Sequence, residues 1–477
     1  MFKFTVLGRL AAVLTIVVIA GGSPSGVIAE KMVSPIGTAD ENSPFGVQDL
    51  ARYDPQMADL GMVWARISGE AGLVWDADEP EPGKYDFRRL DAVIDSFTSH
   101  DIHLLATILC YNQWDQGPLS EGTGPAKYGL PKHISAYIDY LKTAAKRYPQ
   151  IDYYQIENEP TNEWSDTPEN FATLIKVSAL AISEVRPQAK IVLAGAASPE
   201  SFFKFYVPML KELKRLSDAS DVPYIHCADM HWSGQFEYRD KSQGNYRTET
   251  FPSAGFDLKW VVQEMRRELE NADFANVPIW ITEMSDYSGK PREPNYLYQS
   301  EQEQAVEVLK RHIFPLSIGV QKVFWVGINE HHNWGDSGIN NYWDNTGLVN
   351  NPRNDGRFHK KLSYYTYKKM VEILKHSDWN HIDIIQGSGN VFICKFGAQT
   401  GPIHVAWNDG DVPDTAHIVL GRNIRKVKIT KAVPQCRSGK DVIDFSRAFE
   451  TEIRKVNGGR IRIVLNRIPV FVEVNER

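Results

Sequence analysis

Two stretches of this chain run from apolar residues straight into a carboxylate. One reads Tyr153-Tyr154-Gln155-Ile156-Glu157-Asn158-Glu159-Pro160 and the other Pro278-Ile279-Trp280-Ile281-Thr282-Glu283-Met284. Short apolar runs of this kind form buried strands. Pro160 cannot donate to a sheet ladder, so the first strand stops before it. Each glutamate therefore falls at the C-terminal end of a strand. Two carboxyls that face one another become complementary reagents, because like charges held close push one pKa up and leave one group protonated. Cleavage of a glycosidic bond needs such a pair: an acid for the leaving oxygen, and an ionised partner that attacks the sugar or steadies its positive charge. Glu159 and Glu283 are the candidate pair. Glu157 lies two residues before Glu159, on the same face of an extended strand. It is expected to be an ion-pair partner in the interior.

Elements that could position such a pair are legible along the chain. Eight strand candidates are Phe45-Gln48, Met62-Ile67, His103-Leu109, Tyr153-Glu157, Ile191-Gly195, Ala228-His231, Ile279-Thr282 and Lys322-Val326. Amphipathic helical segments separate them. One starts at Asp86 as N-cap, and another at Thr167-Pro168, a capping residue followed by proline at the first helical position. Others span Lys132 to Tyr148, Phe203-Leu216, Leu258-Leu269, Glu301-Phe314 and Leu362-Leu374. Eight strand–helix units predict an α/β fold, a closed (β/α)8 TIM barrel over residues 30–376, with reactive groups at the strand C-termini. A doubly wound sheet would announce a glycine-rich turn after its first strand, and Gly46 stands nearly alone there. From about residue 377 to 477 the helical period is absent. Val391-Phe396, Ile403-Trp407, Ile418-Leu420, Val427-Ile429, Ile461-Leu465 and Val470-Val474 read as short strands of a small all-β, sandwich-like domain. Its one obvious sugar-stacking candidate is Trp407, so the domain is expected to brace the barrel.

The formal charge of -7 is spread along the chain, which argues against a nucleic-acid binder. Residues 1–29 combine Lys3 and Arg9 with the apolar run Leu10 to Ala20 and small residues around Ala29. They read as a secretory leader. The expected location is secreted or periplasmic, with no membrane span once the leader is removed. Four Cys are too few for a disulfide scaffold; whether Cys394 and Cys436 pair is left open. The twelve Trp and twenty Tyr are many, and Trp75, Tyr111, Trp114, Trp164, Trp232, Trp334 and Trp343 fall in apparent loops, where flat rings could stack on sugars. Trp114 is the first candidate. Adjacent His331 and His332 diverge and lack a second ligand pair, so no metal is expected. No P-loop or dinucleotide motif occurs, so no cofactor is expected.

On these residues the chain resembles clan A glycoside hydrolases, and family 39 most closely, over the stretch from Phe45 to Leu374. The clan ends strand four in Asn-Glu and strand seven in Glu, matched here by Asn158-Glu159 and Glu283. The resemblance implies a retaining double displacement on a β-linked oligo- or polysaccharide, with Glu159 as the acid/base and Glu283 as the nucleophile. It implies that Asn158 binds the sugar 2-hydroxyl, that Arg66 at the end of strand two keeps the nucleophile ionised, that His231 lies near the end of strand six, and that Trp325 on strand eight floors the sugar. It points to xylosides, uronide-containing glycans or exopolysaccharides as substrates. One departure is clear: many clan members carry Tyr two residues after the strand-six His, and here that position is Ser233. Tyr287 is the candidate replacement. The alternative function is a catalytically silent carbohydrate-binding barrel at the cell surface or in the matrix.

Overall fold

The computed structural model describes residues 40–474 apart from 49, 120–127, 218–221, 234–249, 252–255, 293–295, 332–339, 352–357, 388 and 400. The expected leader, His332 and Trp334 lie outside the described residues. Eight parallel strands form the barrel: β1 (Phe45–Gln48), β2 (Trp64–Ile67), β3 (His103–Leu109), β4 (Ile151–Ile156), β5 (Lys190–Leu193), β6 (Ala228–Ser233), β7 (Ile279–Ser285) and β8 (Val320–Val326). Hydrogen-bonded order runs β5-β4-β3-β2-β1-β8-β7-β6. Bridges from Val192 to Cys227 and from Ala196 to Met230 bring β5 to β6. The barrel is thereby nearly closed, as the alternation of strand and helix predicts.

Each strand is followed by a helix: α1 (Gln56–Leu60), α2 (Arg88–Phe97), α3 (Ile134–Arg147), α4 (Pro168–Val185), α5 (Val207–Arg215), α6 (Leu258–Asn271), α7 (Glu301–Ser317) and α8 (Leu362–Leu374). Each long helix buries an apolar stripe, Leu90, Val93, Ile94 and Phe97 in α2 for example. The expected cap at Thr167 is present: its hydroxyl accepts from the Asn170 N–H at 3.2 Å, with Pro168 at the first helical position. Thr167→Ala is expected to destabilise the protein by about 1 kcal/mol, read as a lower midpoint in urea unfolding. Asp86 stands one residue further from its helix than expected. It accepts from the Arg88 N–H at 3.2 Å and holds the Arg88 guanidinium, while Phe87 occupies the cap position.

The lower barrel is filled by Trp64, Leu105, Tyr153, Val192, Cys227, Trp280 and Phe324. Gly46 makes room for this layer, since a Cβ there would lie 2.6 Å from the Phe324 ring. This layer plugs the barrel floor, and the strand C-termini open at the opposite mouth.

Beyond α8 come eight antiparallel strands, two more than expected: β9 (Ser377–Gln386), β10 (Val391–Ala398), β11 (Ile403–Asn408), β12 (Asp414–Val419), β13 (Lys426–Lys431), β14 (Thr451–Lys455), β15 (Arg460–Leu465) and β16 (Val470–Val474). One sheet runs β9-β10-β11-β16-β13-β14 and a second pairs β12 with β15. Ile393, Ile418, Ile429, Ile463 and Val472 fill the space between them. Cys394 and Cys436 are free thiols and do not pair. Trp407 is buried, stacked on Phe392 with ring centroids 4.3 Å apart, and its indole N–H donates to Asp409 at 3.0 Å. Lys310 of α7 pairs with Asp409, and Phe314 of α7 packs on Phe392. These contacts brace the β domain against the barrel.

Candidate active site

The mouth gathers the expected residues from four strands. Glu159 follows β4, Glu283 lies in β7, Arg66 in β2 and His231 in β6. One ligand atom from each of Glu159, His231 and Glu283 lies within 4.8 Å of the other two. The two carboxyls therefore face each other at close range, their side chains only 24% and 14% exposed.

Local backbone sets these directions. After β4 the chain leaves the extended region: Glu157 has φ 68° and Glu159 φ 42°, left-handed values that side-chain-bearing residues seldom adopt. Such conformations persist where the surroundings over-determine them, commonly at functional sites. In β7 the pairing register with β6 shifts between Ile281 and Glu283, a β-bulge. Bulges re-aim side chains. Here the Thr282 N–H donates to Asp229 Oδ1 at 2.9 Å, and Glu283 comes level with His231.

Arg66 is wholly buried and committed in three directions. It donates to Glu283 Oε1 at 2.7 Å, Gln155 Oε1 at 2.6 Å and Asn158 Oδ1 at 2.6 Å. The guanidinium thus fixes the Glu283 carboxyl and also turns Asn158 so that its carbonyl is used internally, leaving the amide N–H groups as donors. Gln48 adds a longer contact to Glu283 Oε1 at 3.4 Å. His231 Nδ1 lies 2.6 Å from Glu159 Oε1 and 3.5 Å from Glu283 Oε2. Asp229, behind the ring, accepts from Gln155 at 2.7 Å and from the Thr282 hydroxyl. Glu159 Oε2 accepts from Asn162 at 2.7 Å.

The electrostatics follow from this packing. Burial alone would strip His231 of its proton, but the Glu283 charge and the bonds to Asp229 and Glu159 outweigh it and lift the imidazole to about 10. Burial raises Glu283, against the pull of His231 and Arg66, and the charge of Glu159 adds to the rise. Burial also acts upward on Glu159, but the hydrogen bond and charge of His231 prevail and hold it low. Although the three groups lie at metal-bridging distance, positive charge is already supplied by Arg66 and the imidazolium, and we assign no metal here.

Other expected residues fall elsewhere. Trp325 is fully buried; its indole donates to the Thr346 carbonyl at 3.0 Å and stacks on His312 of α7. That ring is packing between β8 and α7 and presents no face to a sugar. Tyr287 sits in a cluster with Tyr296 and Tyr342, and its hydroxyl donates to the Leu297 carbonyl at 2.7 Å. Among the described residues, Arg66, His231 and Gln48 hold the Glu283 carboxyl. Trp114 is half-buried, donating to the Glu79 carbonyl at 2.8 Å and edge-on to Trp75. Of the other loop rings, Trp75, Trp164 and Trp232 are buried, while Tyr111 and Trp343 keep partial exposure. Gln48, Gln155, Asp229 and Thr282 are site residues that the sequence reading did not single out.

Glu157 is also corrected. Among the described residues it forms no ion pair, and its carboxyl accepts from the Cys110 N–H at 2.5 Å and the Tyr128 hydroxyl at 2.6 Å. With φ 68° it has left the strand, so the alternation of strand faces does not reach it. Burial lifts it to about 7 against those two hydrogen bonds. The folded state therefore binds a proton that the unfolded chain releases near 4.5. The resulting stability is complete below that pH, is lost as pH rises through 7, and amounts to about 3 kcal/mol. Glu157→Gln stays neutral, so its thermal midpoint should match wild type near pH 5 and exceed it at pH 8. Equal pH dependence in the two proteins would contradict this.

No protein-family model matches the chain, and no curated protein matches it by sequence. Solved structures do match in three dimensions. A family 39 glycoside hydrolase from the gut symbiont Bacteroides cellulosilyticus aligns with a TM-score of 0.63 at 17% identity, covering 91% of this chain and 81% of that one. A family 39 β-xylosidase from Caulobacter crescentus aligns at 0.58 and 16% identity, over 92% and 97%. A family 30 subfamily 8 xylanase from Clostridium acetobutylicum aligns at 0.55 and 15% identity, over 91% and 96%. At these identities the likeness establishes the fold: a barrel with a C-terminal β domain, shared with glycoside hydrolases of families 39 and 30.

Proposed function

We propose that the protein is a retaining glycoside hydrolase that cleaves O-glycosidic bonds of a β-linked glycan by double displacement. The observation that carries this reading is the Glu159–Glu283 pair across the barrel mouth, with closest oxygens within 4.8 Å. Retaining enzymes hold their carboxyls about 5–5.5 Å apart, and inverting enzymes leave roughly 6.5–9.5 Å for a water molecule. In the first step Glu283 attacks the anomeric carbon while Glu159 protonates the leaving oxygen. In the second, Glu159 takes a proton from water, which attacks the same carbon and releases Glu283. Arg66 keeps the attacking oxygen in place through a charge-assisted bond, and the Asn158 amide is the donor for the 2-hydroxyl. Among the described loop rings named from the sequence, Tyr111, Trp114 and Trp343 keep exposed area for further sugar units. Secretion through the N-terminal leader is part of the same proposal.

The test is a panel of activated aryl β-glycosides, including xylosides, glucosides and uronides, followed by natural polysaccharides. Release of the aryl alcohol from at least one is expected and would name the sugar at the cleavage point. Binding of a glycan without cleavage of any substrate would favour the silent barrel instead.

A further inference from the structure

The mechanism above asks Glu159 to be protonated when substrate arrives, yet its surroundings hold its carboxyl low. The proton is nearby. The Thr282 hydroxyl donates its one hydrogen to Asp229 Oδ2, so toward His231 Nε2, 3.4 Å away, it can only accept. Asp229 Oδ2 itself lies 3.6 Å from the same nitrogen. Nε2 therefore carries a hydrogen. On the other side, Nδ1 and Glu159 Oε1 are 2.6 Å apart. Two bare acceptors would repel at that distance, so a second hydrogen lies between them.

We propose that His231 is the proton store of the acid/base, holding the catalytic proton on Nδ1 in the empty site and passing it to Glu159 when a glycoside fills the cleft. The inference rests on the glycosidase reading for its use, and on the ring geometry for its existence. Its driving force is desolvation: a bound sugar excludes water, and a neutral imidazole beside a neutral carboxyl is then favoured over two buried opposite charges. The proton leaves Nδ1 for Oε1 of Glu159, and then leaves Glu159 for the glycosidic oxygen as Glu283 bonds to the sugar. In the second half-reaction Glu159 takes a proton from the attacking water, Glu283 is released as a carboxylate, and the proton returns to Nδ1. Charge and protons balance over the cycle.

Among the described residues, the groups facing the ring are Glu159 after β4, Asp229 on β6, and Thr282 and Glu283 on β7, with Arg66 of β2 bound to Glu283. Tyr206 also feels the charges of Asp229 and Glu159 and is a neutral phenol, raised well above its ordinary value by burial. Gly195 after β5 seats the ring, since a Cβ there would lie 2.0 Å from Nε2.

The test needs no turnover to begin. Nitrogen-15 NMR of the full chain without substrate should find both His231 ring nitrogens protonated from neutral pH to about 9, and the ring should release its proton at least about one pH unit lower in Glu159→Gln. A neutral His231 ring at pH 7 would overturn the store even if the protein hydrolyses glycosides. If the protein hydrolyses none, the glycosidase reading fails and the ring titration still decides the store. With activity in hand, His231→Asn and Gly195→Ala are compared on two leaving groups. For a phenyl glycoside, which needs the proton, the basic limb of kcat/KM should fall by about one pH unit or more. For a dinitrophenyl glycoside, which does not, the rate of glycosylation should change only a few-fold. Equal losses on both substrates with an unmoved basic limb would mean that His231 is merely structural.

Discussion

Glu283→Gln is expected to lower kcat/KM on any cleaved aryl glycoside by roughly 10⁵-fold, because the covalent step loses its nucleophile while the fold keeps its shape. The amide has the volume of the carboxyl and can still accept from Arg66 at Oε1. Glu159→Gln should behave differently. A general acid contributes about 10²–10⁴-fold, and a dinitrophenyl leaving group departs without one. On such a substrate the variant should form the glycosyl-enzyme quickly and then stall, since no base activates water. Azide needs no base, so it should restore turnover in Glu159→Gln and yield a glycosyl azide. It should do nothing for Glu283→Gln. Azide rescue of both variants, or of neither, would exchange or dissolve the assigned roles.

Arg66→Met is expected to produce the largest loss of stability at the site. Arg66 has no exposed side-chain surface and donates to Glu283, Gln155 and Asn158. Removing one member of a buried ion pair leaves the other charge uncompensated, at about 3–5 kcal/mol. The protein can recover part of this by protonating Glu283. Burial and Glu159 already push that carboxyl up, and the loss of Arg66 removes one of the two groups that pull it down. The acid limb of kcat/KM, below which the nucleophile is protonated, should therefore move to higher pH. Thermal unfolding and a pH–rate profile read the two effects separately. Arg66→Lys keeps the charge but not the planar fork, so it should regain more of the pH profile than of the stability. An unchanged thermal midpoint in Arg66→Met would contradict the packing described here.

How much of this was legible in the residues depended on the rule each one obeys. Glu159 and Glu283 could be found because apolar runs end in them and barrel chemistry sits at strand ends. The same logic reached Arg66, Asn158 and His231 once the resemblance was drawn. Gln48, Gln155 and Asp229 escaped it. Gln155 and Asp229 lie inside their strands and Gln48 closes β1, and nothing in their spacing separates an inward hydrogen-bonding role from an outward solvated one. Glu157 was misread because the alternation of faces assumes extended backbone, and the chain turns left-handed there. Trp325 was misplaced for another reason. A ring's type does not say whether a helix packs over it, and α7 packs over Trp325. The two missed strands, β9 and β14, are the edges of the six-stranded sheet. Edge strands carry polar and charged residues on both faces, as Thr451–Lys455 does, so the apolar alternation that marks a central strand is absent.

In the proposed mechanism two carboxyls act in succession on one anomeric carbon. Proton NMR of the first-formed sugar product, recorded within seconds of adding wild-type protein to the cleaved aryl β-glycoside, decides whether they do. The β-anomer is expected first, followed by slow mutarotation, with a covalent adduct on the peptide containing Glu283 when a slow fluorosugar substrate is used. The α-anomer as first product, with no adduct, would contradict double displacement and the assignment of Glu283 as nucleophile.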